Sequence, residues 1–125
     1  MLSHVTIGTN DLAKAKPFYD AVLGVLGAQA MPGGEGRASY ARGPNEPMIV
    51  ITAPFDGQPA TVGNGTMIGL RCKDKDEVQA VYDAAMKAGA QSEGEVGPRG
   101  PEQQFYGGYF RDPDGNKLAA FTLNR

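Results

Sequence analysis

Two stretches of this chain, HVTIGTNDLAKAKPFYDA and MIGLRCKDKDEVQAVYDA, lie on one another without a gap. With His4 set on Met67, Asp11 falls on Asp74, Tyr19 on Tyr82, Asp20 on Asp83 and Ala21 on Ala84. A one-residue slip then brings the GAQ at Gly27 onto the GAQ at Gly89, and further on YARGP aligns with YFRDP, pairing Tyr40 with Tyr109, Arg42 with Arg111 and Pro44 with Pro113. Matches in the same order through both halves indicate an internal duplication. A chain of 125 residues is long enough for one compact domain, or for two small halves that share a core. The expectation is a single domain over residues 1–125, with a first module of about 1–60 and a second of about 61–125.

Each half has the same local pattern. A short apolar strand (Val5 to Gly8; Met67 to Cys72) runs into an acidic cap and then a helix. In the second half Val78, Val81, Tyr82, Ala85 and Met86 fall at helical spacing, and Gly89 closes the run. The first helix, from about Asp11 to Leu26, buries Phe18, Val22 and either Val25 or Leu26 by the same rule. Pro17 removes a backbone donor there, which predicts a late start or a kink. Strand-rich segments follow: Ala38 to Arg42 and Pro47 to Thr52, then Tyr106 to Arg111 and Asn116 to Leu123. The 18 glycines and 9 prolines cluster in MPGGEG, RGPNEP, PFDGQPATVGNG and GEVGPRGP, which read as loops between strands.

The segment DPDGN, from Asp112 to Asn116, has the look of a cation-binding loop. A calcium loop counted from Asp112 needs glycine at its sixth position and glutamate at its twelfth, where this chain has Lys117 and Leu123. Asp-Pro-Asp-Gly fits a type I turn instead, with Pro113 presetting φ and Gly115 closing the turn. GPNEP in the first half is expected to do the same.

Taken together, HVTIGTNDLAKAKPFYDAVLGVLG, PFDGQPATVGNGTMIGL and YFRDPDGNKLAAF resemble the vicinal oxygen chelate superfamily, the family of glyoxalase, bleomycin-resistance and extradiol dioxygenase proteins, over nearly the whole chain. The resemblance implies an α+β fold of two tandem βαβββ modules forming a half-open barrel. In metal-dependent members the ligands come from the first and last strands of each module. The ligand of the first opening strand corresponds to His4. Its partner, usually the histidine of a GNGTH-like segment, is Met67 here. The glutamate of a DPDGN-x-x-E-like segment falls on Ala119, and its first-module counterpart falls near Val50. A thioether is a soft, weak ligand, and alanine and valine donate nothing, so no metal site is expected at these four positions. Glu46, Glu102 and Asp114 are the acidic residues from which a displaced site would have to be built.

His4 is the only histidine, and it reads either as a base at the floor of the cup or as a strand residue satisfied by a backbone neighbour. Cys72 is expected to be buried and inert, since Arg71 and Lys73 point to the opposite face of the strand. Tyr106 and Tyr109, with Arg99, Gln103 and Gln104, lie in GPRGPEQQFYGGYF, which borders the substrate mouth in the family. The expected ligand-binding set is His4, Met67, Tyr106, Tyr109 and Ala119, with His4 the candidate catalytic residue. A net charge of −2 gives no reason to expect nucleic acid or anionic membrane as partner. One cysteine excludes an intramolecular disulfide, and no apolar run is long enough to span a bilayer. The sequence thus points to a cytoplasmic, metal-free protein that binds a small, partly apolar molecule, and the resemblance implies a homodimer. The competing reading is an enzyme: a glyoxalase-like lyase or dioxygenase with a displaced metal, or a metal-free isomerase that uses His4.

Overall fold

The computed structural model describes residues 1–32 and 34–125. Its first module runs β1 (His4–Gly8), α1 (Leu12–Val25), β2 (Gln29–Ala30), β3 (Arg37–Ala41) and β4 (Met48–Thr52). The second runs β5 (Ile68–Arg71), α2 (Lys75–Lys87), β6 (Gln91–Arg99), a 3-10 turn (Pro101–Gln103), β7 (Phe105–Arg111) and β8 (Lys117–Leu123). The sheet orders are β1-β4-β3-β2 and β5-β8-β7-β6. In each, the opening strand lies parallel to the last one and the remaining pairs are antiparallel. This is the tandem βαβββ arrangement. The two sheets are not joined into a closed barrel.

Local chemistry explains the matched helices. Asp11 Oδ1 accepts from Lys14 N, and Asp74 Oδ1 accepts from Glu77 N, so each helix starts on an aspartate cap. Both end in the repeated Gly-Ala-Gln. Gly27 (φ 80°) and Gly89 (φ 102°) take the left-handed conformation, and the next amide reaches back to Leu23 O or Ala85 O. Pro17 neither delays nor divides α1: the helix begins at Leu12, and Pro17 sits on its exposed side. Leu23 is fully buried, and Val25 and Leu26 are partly buried against the same core.

Two strands escape the sequence pattern, the two-residue β2 and the longer β6. QSEGEVGPR forms β6, an edge strand with register breaks on either side of Gly94. Its glycines and its proline suit a bulged edge and conceal the strand in the sequence.

A single core joins the modules. Phe18 and Tyr19 of α1, Ile7 and Ile51 of the first sheet, Val78 and Tyr82 of α2, and Phe110 and Leu118 of the second sheet belong to one buried cluster. Phe18 and Phe110 ring centroids are 6.5 Å apart across the boundary. Both sheets therefore turn their helix-bearing faces inward, and their other faces point away from the shared core. Among the described residues no helix is long and apolar enough to cross a membrane.

The segment Asp112–Asn116 locks this packing. Gly115 N donates to Asp112 O, closing the expected turn. Asp112, only 5% exposed, accepts from the amides of Asp114 and Asn116, from Asn116 Nδ2 and from Tyr19 Oη at 2.5 Å. Asp114 accepts from Thr9 Oγ1 and from Asn10 N, and Asn116 Nδ2 donates to Gly8 O. The turn is thus also a clamp on the first module. Burial and the adjacent Asp112 carboxylate push the Tyr19 hydroxyl far above its ordinary pKa, so it stays a donor.

Candidate functional site

Strand alternation sets what each open face offers. On the first sheet Val5, Ile7, Ile49, Ile51, Ala38 and Tyr40 face the helices, which leaves His4, Thr6, Ser39, Met48 and Val50 on the other side. On the second sheet Leu70, Leu118, Ala120 and Phe110 face inward. Gly69, Arg71, Ala119, Phe121, Phe105 and Tyr109 share the open face.

The four positions that resemble metal ligands divide between these faces. His4 and Val50 share the first sheet's open face, while Met67 and Ala119 line a hollow on the second. His4 is exposed, shares a 2.8 Å hydrogen bond with Ser3 Oγ, and lines none of the five principal hollows of the surface. Of the four side chains only His4 carries a ligating nitrogen, so the donor set does not fit a divalent ion. The displaced candidates do not repair it. Glu46 pairs with Arg42 at 3.5 Å, Asp114 is committed to Thr9 and Asn10, and Glu102 lies in the 3-10 turn. No group of three or more His, Cys, Asp or Glu among the described residues could hold a metal ion.

The hollow on the second sheet has a volume of about 560 Å³, within the usual range for small-molecule sites. Gly69 and Ala119 form its floor, Phe105 and Phe121 its aromatic wall, and Met67 and Leu123 its exposed rim. A Cβ placed on Gly69 would meet nothing within 4 Å, so the space above it is open. Phe105 and Phe121 have centroids 5.5 Å apart and planes 30° from parallel, and Tyr109 is 6.1 Å from Phe121. Gly107 makes this possible, because a Cβ there would lie 2.2 Å from a Phe121 ring carbon and 2.5 Å from Ala120 O. Arg99 and Lys117 lie over the Tyr109 ring at 5.4 and 5.3 Å.

Tyr106 does not belong with Tyr109. It pairs with Thr122, lies against the core side and carries Lys75 Nζ over its ring at 5.1 Å. The two tyrosines are three residues apart on one strand and so take opposite faces. Gln103 and Gln104 are exposed at the 3-10 turn. Cys72 is 3% exposed, and burial raises its thiol to about 11, as an inert thiol requires. Arg71, Gly69, Phe105 and Phe121 are the site residues the motif search passed over. The alternation counted outward from Leu70 and Leu118 is the signal that finds them.

A larger recess of about 700 Å³ lies beside the Asp112–Gly115 turn. Its acidic and guanidinium groups are already engaged: Glu93 with Arg111 at 2.5 Å, and Asp112 and Asp114 in the clamp. It has less left to offer a ligand.

A search of curated proteins found no match. Among solved structures, a glyoxalase/bleomycin resistance protein from Albidiferax ferrireducens T118 is 38% identical with a TM-score of 0.86, covering 97% of each chain. At 17% identity, and so informative on fold alone, are two others. A glyoxalase/bleomycin resistance protein/dioxygenase family enzyme from Burkholderia phytofirmans PsJN has a TM-score of 0.75 and covers 98% of each chain. A glyoxalase-related enzyme from Fulvimarina pelagi has a TM-score of 0.74, covering 100% of this chain and 97% of its own. The model of the Glyoxalase/Bleomycin resistance protein/Dioxygenase superfamily matches residues 1–120. By its two modules and by that match, the chain belongs to the Glyoxalase/Bleomycin resistance protein/Dioxygenase superfamily.

Proposed function

We propose that this protein binds a small, partly apolar molecule, without a metal, in the hollow on the open face of the second sheet, and that a second copy of the chain covers that face. The carrying observation is the composition of the face. Met67 and Ala119, two of the four positions that resemble metal ligands, line the hollow without a nitrogen or oxygen donor, and Phe105 and Phe121 line it beside them. Aromatic walls above a glycine and alanine floor favour a flat, apolar ligand body.

The dimer is supported by where the open faces point. They lie outside the chain's shared core, and the Met67 and Leu123 rim is exposed at 44% and 46%. A partner's His4-bearing face would complete a cup that a single chain leaves open. Catalysis by His4 is the competing reading. Among the described residues the only side-chain hydrogen-bond partner of His4 is Ser3, and no carboxylate bonds to the ring.

Calorimetric titration with flat apolar compounds tests the site. Binding in the wild type that is lost in Gly69→Leu, with the fold retained, supports the proposal. Binding that ignores Gly69→Leu, or no binding by any compound, refutes it. The molar mass in solution tests the dimer: twice the chain mass is expected, and a strict monomer contradicts it.

A further inference from the structure

We infer that the ligand of this hollow is a planar aromatic carboxylate, its ring held against Phe121 and Phe105 and its carboxylate gripped by Arg71. This rests on the proposed binding role and goes on to name the chemical class.

The argument is one of charge and register. Arg71, Lys73 and Arg125 line the hollow, and no acidic side chain does. The chain carries a net charge of −2, so a wall of one positive sign runs against its overall balance. Arg71 is exposed on the open face and forms no salt bridge among the described residues. Arg111, by contrast, is neutralised by Glu93. Around the same aromatic cluster Arg99 donates to the carbonyls of Pro98 and Glu95, Lys117 lies over Tyr109, and neither forms a salt bridge among the described residues.

Arg71 is the direct cross-strand partner of Phe121. A ring stacked on Phe121 therefore carries a substituent on its edge toward the guanidinium, whose planar fork matches a carboxylate in two parallel hydrogen bonds. Gly69 is two residues back on the same face and leaves the stacking space clear. A neutral apolar ligand would use the rings and leave the arginine idle. A cation would meet three like charges.

The test uses 2-naphthoate and its neutral isostere 2-naphthamide, titrated calorimetrically into the 125-residue chain. Loss of a charge-assisted hydrogen bond predicts naphthoate binding about tenfold or more tighter than the amide. Arg71→Gln should bring naphthoate to the level of the amide and leave the amide unchanged. Gly69→Leu should abolish both. Equal affinity for the two compounds, with both lost in Gly69→Leu, overturns the carboxylate assignment and leaves the apolar site standing. A naphthoate preference that survives Arg71→Gln overturns the role of Arg71. Failure of both compounds to bind the wild type overturns the site itself. The arginine is exposed and the Gly69 position is open, so folding of both variants is expected and circular dichroism checks it. The comparison of the two compounds on the wild type needs neither variant.

Discussion

The two modules share one topology and use it differently. GPNEP and DPDGN both turn the chain between antiparallel strands, the first through Glu46 N to Gly43 O and the second through Gly115 N to Asp112 O. Only the second reaches beyond its own hairpin, to Tyr19, Thr9, Asn10 and Gly8 of the other module. The open faces differ as well. One presents His4, Thr6, Ser39 and Val50, the other three aromatic rings with Arg99 and Lys117 over one of them. Duplication supplied two equal frames, and a few side chains made one turn the joint of the molecule and one face its candidate site.

The sharpest way to break this contrast is at the turns. Asp112→Ala leaves a buried tyrosine hydroxyl without its acceptor and removes four hydrogen bonds. It is expected to cost about 3 kcal/mol or more, which is roughly 10 °C in Tm for a domain of this size. Asn45→Ala, exposed in the GPNEP turn, should stay within about 0.5 kcal/mol. Thermal melts of the two variants side by side decide it, and similar losses would mean that the two turns are equivalent.

Glycines on the second open face give the next largest contrast. Gly107→Ala drives a methyl into Phe121 and the Ala120 carbonyl, an overpacking expected to cost about 2 kcal/mol. Gly69→Ala meets open space and should be neutral or stabilising by a few tenths of a kcal/mol. Denaturant midpoints measure both. Equal destabilisation would show that the space above Gly69 is not free.

How much of this the sequence discloses depends on the range of the interactions. The repeated caps and Gly-Ala-Gln closures are local, so the helices and the modular plan are legible. The turn at Asp112 is legible for the same reason, but its clamp is not, because Tyr19 lies 93 positions away. The way the modules face is hidden for the same reason, because it is set by the whole apolar surface that meets at Phe18 and Phe110. Aligning Tyr40 with Tyr109 places them on opposite faces: Tyr40 is buried against α1 with its hydroxyl on Asp20, and Tyr109 is on the open face. A one-residue slip in a strand is enough to do this. Tyr106 was open to the same parity count, which separates it from Tyr109 without any structure.

The smallest expected effect belongs to the first module. Burial is the largest single influence on the Asp20 carboxyl and raises it, but the hydrogen bonds from Lys16 and Tyr40 and the Lys16 charge together outweigh it and hold the group below its ordinary value. A depressed carboxyl contributes stability above the unfolded pKa, near 4, and loses it as pH falls through the folded value. Because the pair is 49% and 44% exposed, solvent screening limits the gain to a few tenths of a kcal/mol. Asp20→Asn should therefore lower the urea midpoint slightly near neutral pH and make no difference in acid. An equal loss at both pH values would mean that packing, and not ionisation, carries the effect.

The proposed metal-free binding role rests on carbon and sulfur side chains standing at three of the four positions that resemble metal ligands, Val50, Met67 and Ala119. The most direct measurement is the metal content of tag-free protein incubated with zinc, nickel, manganese or iron(II) and then desalted. The prediction is no stoichiometric retention of any of them, with His4→Ala indistinguishable from wild type. Close to one equivalent retained per chain, and lost in His4→Ala, would contradict it.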